Sequence, residues 1–81
     1  MNLREYLAAT RETAHYAGVG TSVGALYCYT GLVEERAELH VATTHHLLGW
    51  PNAYADIIKE AGDMLWYAVR LSEDAGVVEA V

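Results

Sequence analysis

A single glycine–tryptophan–proline break at residues 49–51 separates two stretches whose apolar side chains recur with a helical period. Before the break, an apolar stripe near 3.6 residues per turn is formed by Leu26, Tyr29, Val33, Ala37, Val41 and Leu48. After the break, a broad apolar face is formed by Ile57, Ile58, Ala61, Met64, Leu65, Ala68 and Val69. Polarity nowhere alternates with period two over six residues. We therefore expect an all-α fold based on an antiparallel helical hairpin.

Glycines set the limits of a shorter helix before this hairpin. Leu3, Leu7 and Ala14 have helical spacing, and Gly18 and Gly20 then interrupt it as glycines do after a helix. The sequence predicts this first helix over roughly residues 3–16.

Capping residues define the two hairpin helices. Thr21 and Ser22 are good caps for the second helix, which the break at 49–51 ends. Asn52 can cap the third helix, which we expect to last to about Asp74. The tail 77–81 is compatible with a stub of a fourth helix.

Length and charge restrict the partners of the chain. With 81 residues it has room for one domain, residues 1–81, and a modest core, so we expect a homodimer or homotetramer that completes a four-helix-bundle-like core. The net charge of −6 repels nucleic-acid polymers and anionic membranes. Cys28 is the only cysteine, and no signal-peptide apolar region begins the sequence, which together indicate a cytoplasmic protein.

Acidic residues follow helical spacing on both hairpin helices. Asp56, Glu60, Asp63 and Tyr67 lie on one stripe, and Glu34, Glu35 and Glu38 fall within roughly 100° of arc. Such acids usually form a solvated face. Like charges at this spacing destabilise a helix, however, and few lysines are near enough to pair with them. A divalent cation would remove the conflict, and carboxylate oxygens favour Mg²⁺, with Mn²⁺ as an alternative.

The histidines are not spaced to provide ligands for a softer metal ion beside these acids. A di-iron bundle needs Glu-x-x-His pairs, and the positions three residues after Glu35 and Glu38 hold Glu and Val. His40 and His45 are five residues apart and do not share a helix face. We interpret His40, His45 and His46 as surface or interface residues.

Two segments resemble the MazG-like all-α nucleoside triphosphate pyrophosphohydrolases. They are GLVEERAEL at 31–39 and KEAGDMLWY at 59–67, and the family signature is E-x-x-E followed, some twelve to twenty-eight residues later, by E-x-x-D. Twenty-one residues separate Glu38 from Glu60. RETAHYAG at 11–18 also resembles the end of the first helix in many members.

The resemblance implies a Mg²⁺-dependent hydrolase that cleaves nucleoside triphosphates between the α and β phosphates. Its metal ligands would be Glu35, Glu38, Glu60 and Asp63, and either Glu35 or Glu38 would activate water. Spacing alone also allows Glu34, but the family register G-L-x-x-E favours Glu35. Substrates would include deoxynucleotides or damaged nucleotides.

The resemblance also suggests residues that would contact the nucleotide. Lys59 and Tyr67 would flank the phosphates or the sugar. Candidates for base recognition are Tyr16, Trp50, Asn52 and Trp66. Each has a structural alternative, respectively helix-end packing, a loop plug, an N-cap and an interhelix anchor.

Departures from the family pattern leave three hypotheses open. Relatives commonly continue past the third helix with Asn and Lys residues, whereas this chain stops at Val81, so a partner subunit would complete the site or substrate preference would differ. The chain is then a pyrophosphohydrolase or a catalytically inactive metal- or nucleotide-binding helical module. In the third hypothesis the acids only solubilise an ordinary helical oligomer.

Overall fold

Three helices account for the regular structure of the described part of the chain. The computed structural model describes residues 1–77, with α1 at Leu3–Thr13, α2 at Ser22–Leu47 and α3 at Ala53–Asp74. Helices α2 and α3 pack along each other as an antiparallel hairpin, and α1 packs on α3. No strand occurs in these 77 residues, which confirms the all-α prediction. Within the same range, no helix is both long enough and apolar enough to cross a bilayer.

The helix ends agree with the predicted caps, with two corrections. Thr21 precedes α2 and its hydroxyl accepts a hydrogen bond from Gly24 N–H at 3.5 Å. Helix α1 ends at Thr13, three residues earlier than predicted, because Ala14 is extended and the chain then turns toward α3. Asn52 precedes α3 in a left-handed conformation (φ 67°) and its side chain makes no capping hydrogen bond. The predicted fourth-helix stub covers residues 77–81; Val77 is not helical, and residues 78–81 lie outside the described residues.

The side of α2 that faces α3 is its small-residue side. Its buried positions are Gly24, Cys28, Gly31 and Ala42. The larger apolar stripe predicted from the sequence lies on the outside of the hairpin, where Leu26 is 67% exposed and Val33 and Val41 are each 50% exposed. The hairpin therefore closes through small residues and leaves Leu26, Val33 and Val41 largely exposed.

Gly31 permits the close approach of α2 to α3. A Cβ atom at this position would lie 2.3 Å from Cε1 of Tyr67, far inside van der Waals contact. The Tyr67 ring therefore occupies the space of the missing side chain. This packing sets the register of the hairpin one turn from Glu35.

A buried polar network fixes the 14–21 loop to the end of α3. The Arg70 side chain is fully buried and donates to Asp74 at 3.0 Å and to the Tyr16 hydroxyl at 3.1 Å. Asp74 also accepts hydrogen bonds from the Tyr16 hydroxyl and from Gly20 N–H, the latter at 2.8 Å. Its charged groups are thus paired and hydrogen-bonded, as burial requires.

Candidate metal centre

Three carboxylates meet between α2 and α3 near the middle of the hairpin. One oxygen from each of Glu35, Glu38 and Glu60 lies within 4.8 Å of the others. Glu35 and Glu38 are on consecutive turns of α2, and Glu60 reaches them from α3, where its side chain is only 12% exposed. Oxygens bound at about 2.1 Å to one octahedral Mg²⁺ lie roughly 3 to 4 Å apart, so a small inward movement suffices to share an ion.

Two of the oxygens in this cluster are buried and have no partner. They are Oε2 of Glu35 and Oε2 of Glu60. A buried, unpartnered carboxylate oxygen is costly, because it has lost water without gaining a donor. Either a proton or a cation between the two carboxylates removes this cost.

The pKa values of the cluster correspond to the first of these two possibilities, a proton between the carboxylates. A hydrogen bond with Glu60, together with burial and the charges of Glu60, Glu38 and Asp63, raises the pKa of Glu35 to about 8. The pKa of Glu38 is also raised, chiefly through its hydrogen bond with Glu60, whereas these same bonds lower the pKa of Glu60. Without a cation, the convergence of the carboxylates therefore favours protonation on the α2 side of the cluster.

Asp63, the fourth predicted ligand, lies beside the cluster and is not one of the three converging carboxylates. It accepts a hydrogen bond from Lys59 Nζ at 3.0 Å, and its side chain is 41% exposed. Lys59 also contacts Glu60 Oε1 at 3.3 Å, and these two hydrogen bonds raise the pKa of its ammonium group. Lys59 is thus the cation that contacts the acids, and it is 65% exposed on the same side.

The structure separates Glu34 from Glu35, which spacing alone leaves open. Glu35 is half-buried and belongs to the cluster, while Glu34 is exposed outside it. The difference arises because Glu35 lies on the α3 side of α2, in line with Gly24, Gly31 and Ala42.

A cavity of about 540 Å³ opens beside the cluster toward the hairpin loop. It is lined by Ala37, Glu38, Val41, Ala42, His45, Asp56, Lys59 and Glu60. His45 in this wall stacks on Trp50, with ring centroids 4.0 Å apart. The sequence predicts His45 at the surface or an interface, although its spacing of seven residues from Glu38 places both on one helix face.

The remaining predicted contact residues lie either near the cavity and the hairpin loop or in contacts that stabilise the fold. Trp50 stacks on His45 at one end of the cavity, and Asn52 is exposed in the loop. Tyr16 belongs to the buried network and stacks on Tyr27 at 4.8 Å. Trp66 donates from Nε1 to the Thr13 hydroxyl at 2.8 Å and so joins α3 to α1.

Tyr67 packs on Gly31 close to the acids. Its pKa is raised to about 12 by burial, by a hydrogen bond with Tyr27 and by the charges of Tyr27, Glu35 and Glu34. Of the six predicted contact residues, Lys59, Tyr67 and Trp50 therefore lie nearest to the cluster or its cavity, and Tyr16 and Trp66 have structural partners.

Comparison of the chain with family models, with curated proteins and with solved structures finds no match in any of the three. The resemblance to MazG-like enzymes therefore depends on the four acids, their spacing and the residues around them.

Proposed function

We propose that this protein is a Mg²⁺-dependent nucleoside triphosphate pyrophosphohydrolase of the MazG-like type, which releases the nucleoside monophosphate and pyrophosphate. The observation that carries the proposal is the cluster of Glu35, Glu38 and Glu60, in which two buried oxygens lack partners. Hard oxygen donors from two helices suit Mg²⁺ or Mn²⁺. The cluster also opens to a cavity with a lysine in its wall.

The charge balance of the site explains why this substrate requires a metal. A triphosphate carries about four negative charges and would be repelled by the acids alone. Bound Mg²⁺ neutralises phosphate oxygens and the charge that develops during phosphoryl transfer. Lys59, which contacts Asp63 and Glu60, can exchange these contacts for phosphate oxygens. Asp63 is then free to act as the fourth ligand.

A carboxylate that accepts a proton is available for the attacking water. The water oxygen bonds to the α phosphorus, the bond from that phosphorus to the bridging oxygen breaks, and pyrophosphate leaves. The proton released by the water would pass to whichever of Glu35 and Glu38 is not fully engaged by the cation.

The proposal includes a homodimer or homotetramer in the cytoplasm, acting in nucleotide-pool housekeeping. It is supported by the small core, whose buried apolar side chains are Leu7, Cys28, Ala42, Ala53 and Val69. A domain of this size with so few buried side chains is marginal as a single chain. A second copy would complete a four-helix-bundle-like core.

Pyrophosphate release from common and modified nucleoside triphosphates, with Mg²⁺ or Mn²⁺, tests the activity. Glu38→Gln is expected to reduce turnover by about a hundredfold or more, since it removes both a ligand and a possible base. Glu34→Gln makes the same change one turn away, outside the cluster, and is expected to retain activity. Cation binding without release from any triphosphate would contradict the enzyme and favour the inactive binding module. Equal losses in the two variants would contradict the assigned site.

A further inference from the structure

We infer that the cavity beside the acidic cluster is the subsite for the nucleoside end of the substrate, in which His45 stacks on the base and Asp56 selects bases that carry an amino group. This assignment of the cavity rests on the proposed function and names the substrate class of the same site. Both residues lie in the cavity wall, and neither is among those that the sequence predicts to contact the nucleotide.

The acidic cluster is open toward the hairpin loop and closed in the opposite direction. One turn before Glu35, the groove between α2 and α3 is filled by the Tyr67 ring, which takes the place of a side chain at Gly31. One turn after Glu38, the buried residue of α2 is Ala42, which lines the cavity of about 540 Å³. A triphosphate held by the cluster can therefore extend along this groove toward the loop and not toward Tyr67.

The cavity wall suits a nucleoside better than a phosphate chain. Val41 and Ala42 give it an apolar side, which a base can cover and a phosphate cannot. The lysine of the wall, Lys59, donates from Nζ to Glu60 and Asp63, so its charge is held at the cluster end. The phosphates are therefore expected at the cluster and the base at the end near the loop.

His45 offers a flat aromatic surface at the loop end of the cavity. Its ring stacks on Trp50 with centroids 4.0 Å apart and an angle of 9° between the planes, so one face is covered and the orientation of the ring is fixed. His45 is half-buried and lines the cavity, whereas Trp50 is exposed in the loop. A base that stacks on the other face of His45 forms the third layer of a parallel stack. Because every base has an aromatic face, this contact contributes affinity rather than selectivity.

Asp56 provides the hydrogen-bond acceptor of the cavity wall. It lies one turn before Glu60 on α3 and is exposed. Lys59 pairs with Glu60 and Asp63 instead, and among residues 1–77 no ion pair occupies Asp56. A carboxylate only accepts hydrogen bonds, so at the position where the two bases differ it pairs with the N4 amino group of cytosine and repels the O4 carbonyl of uracil. The cavity therefore selects an amino-bearing base, with cytosine preferred over uracil and adenine over hypoxanthine.

Binding of non-hydrolysable nucleotides tests the subsite directly. The probes are the α,β-imido analogues of CTP and UTP, titrated by calorimetry into the full chain in the presence of Mg²⁺. The wild type is expected to bind the CTP analogue about tenfold more tightly, which corresponds to one hydrogen bond that reads a base edge. Asp56→Asn is expected to abolish this difference, because an amide both donates and accepts hydrogen bonds.

Variants of His45 separate stacking from selectivity. His45→Ala should weaken the binding of both analogues about tenfold and preserve the preference for the CTP analogue, and His45→Phe should restore the affinity. His46→Ala removes the adjacent imidazole, which does not line the cavity, and should bind both analogues as the wild type does.

Equal affinities of the wild type for the two analogues, no binding of either, or an unchanged preference in Asp56→Asn would overturn the subsite. Pyrophosphate release from CTP and UTP separates this failure from failure of the proposed function. Selective binding of the CTP analogue without release from any triphosphate would refute only the proposed function. Release from CTP and UTP with equal kcat/KM, unchanged by Asp56→Asn, would refute only the subsite.

Discussion

At the scale of single residues, two glycines within the hairpin helices have opposite environments. A Cβ atom added at Gly31 meets the Tyr67 ring at 2.3 Å, whereas one added at Gly62 meets nothing within 4 Å. Gly31→Ala should therefore destabilise the protein by about 1–3 kcal/mol, because the ring must move in a packed interface. Gly62→Ala should stabilise it by up to about 1 kcal/mol through helix propensity.

Urea unfolding of the two glycine variants checks this prediction. Both substitutions add one methyl group within a helix, so their difference isolates the contact with Tyr67. Equal midpoints for the two variants would show that Tyr67 does not pack against Gly31 in solution.

The raised pKa of Glu35 predicts how stability depends on pH without metal. A carboxyl group whose pKa rises on folding binds more protons in the native state, so the free energy of unfolding decreases as pH rises through the window from the ordinary value of 4.5 to about 8. Glu38 acts in the same direction. The lowered pKa of Glu60 acts only below its ordinary value of 4.5, outside this window.

We therefore expect the urea midpoint, measured in the presence of a chelator, to decrease as the pH is raised from 5.5 to 8.5. Glu35→Gln should flatten this dependence, because its amide cannot ionise, and Glu34→Gln should leave it unchanged. A midpoint that is constant or rises over this interval in the wild type would contradict the convergence of the carboxylates.

At the scale of helices, two ion pairs near the end of α3 differ in burial, one of them within α3 and the other between α3 and α1. The Arg70 and Asp74 side chains are both 0% exposed and bond at 3.0 Å, while Arg11 bonds Glu73 at 2.5 Å with its own side chain 58% exposed. Asp74→Ala removes one of two carboxylate partners of a buried guanidinium, as well as the acceptor for the Tyr16 hydroxyl and Gly20 N–H, and should cost about 3–5 kcal/mol. Arg11→Ala removes a surface pair and should cost less than about 1 kcal/mol.

Thermal unfolding followed by circular dichroism measures this contrast. The loss from Asp74→Ala is a large part of the 5–15 kcal/mol that stabilises a typical domain, so we expect a partly unfolded chain at 37 °C. Comparable melting temperatures for the two variants would place Arg70 in water and contradict the buried network.

The sequence predicts the helices better than it predicts which of their faces meet. The boundaries of α2 and α3 follow from local signals at Thr21 and at residues 49–51, which act within one turn. The early end of α1 depends on distant contacts of Tyr16 with Asp74, which spacing does not reveal. Helix α2 is apolar on two sides, and its smaller side faces α3 because glycines allow closer approach than leucines do.

The candidate site was predictable to the level of a helix face. Spacing brought Glu38 and Glu60 into consideration and left Glu34 and Glu35 open, although the family register favours Glu35. The rotation of α2 about its axis, which the packing of Gly31 determines, brings Glu35 into the cluster. The contact of Lys59 with Asp63 also escaped prediction, although an i, i+4 Lys–Asp pair is a recognisable signal.

At the scale of the whole molecule, two features of the charge distribution destabilise a chain that has a small core. Its net charge is −6, and three of its carboxylates converge between two helices. Cation binding to the folded state would relieve the repulsion among these three carboxylates. A concentration of Mg²⁺ about a hundredfold above its dissociation constant should stabilise the fold by about 2.7 kcal/mol and raise the melting temperature accordingly.

Calorimetric titration of Mn²⁺ into the metal-free protein tests the central claim, that Glu35, Glu38 and Glu60 converge to hold a divalent cation. The wild type should bind the ion saturably, and Glu60→Gln should weaken binding by tenfold or more, because Glu60 is the α3 member of the cluster. Asp56→Asn removes one charge from the same helix, one turn away from Glu60, and should bind as the wild type does. If all three proteins bind Mn²⁺ equally, or none of them binds it, the three carboxylates do not form a metal site.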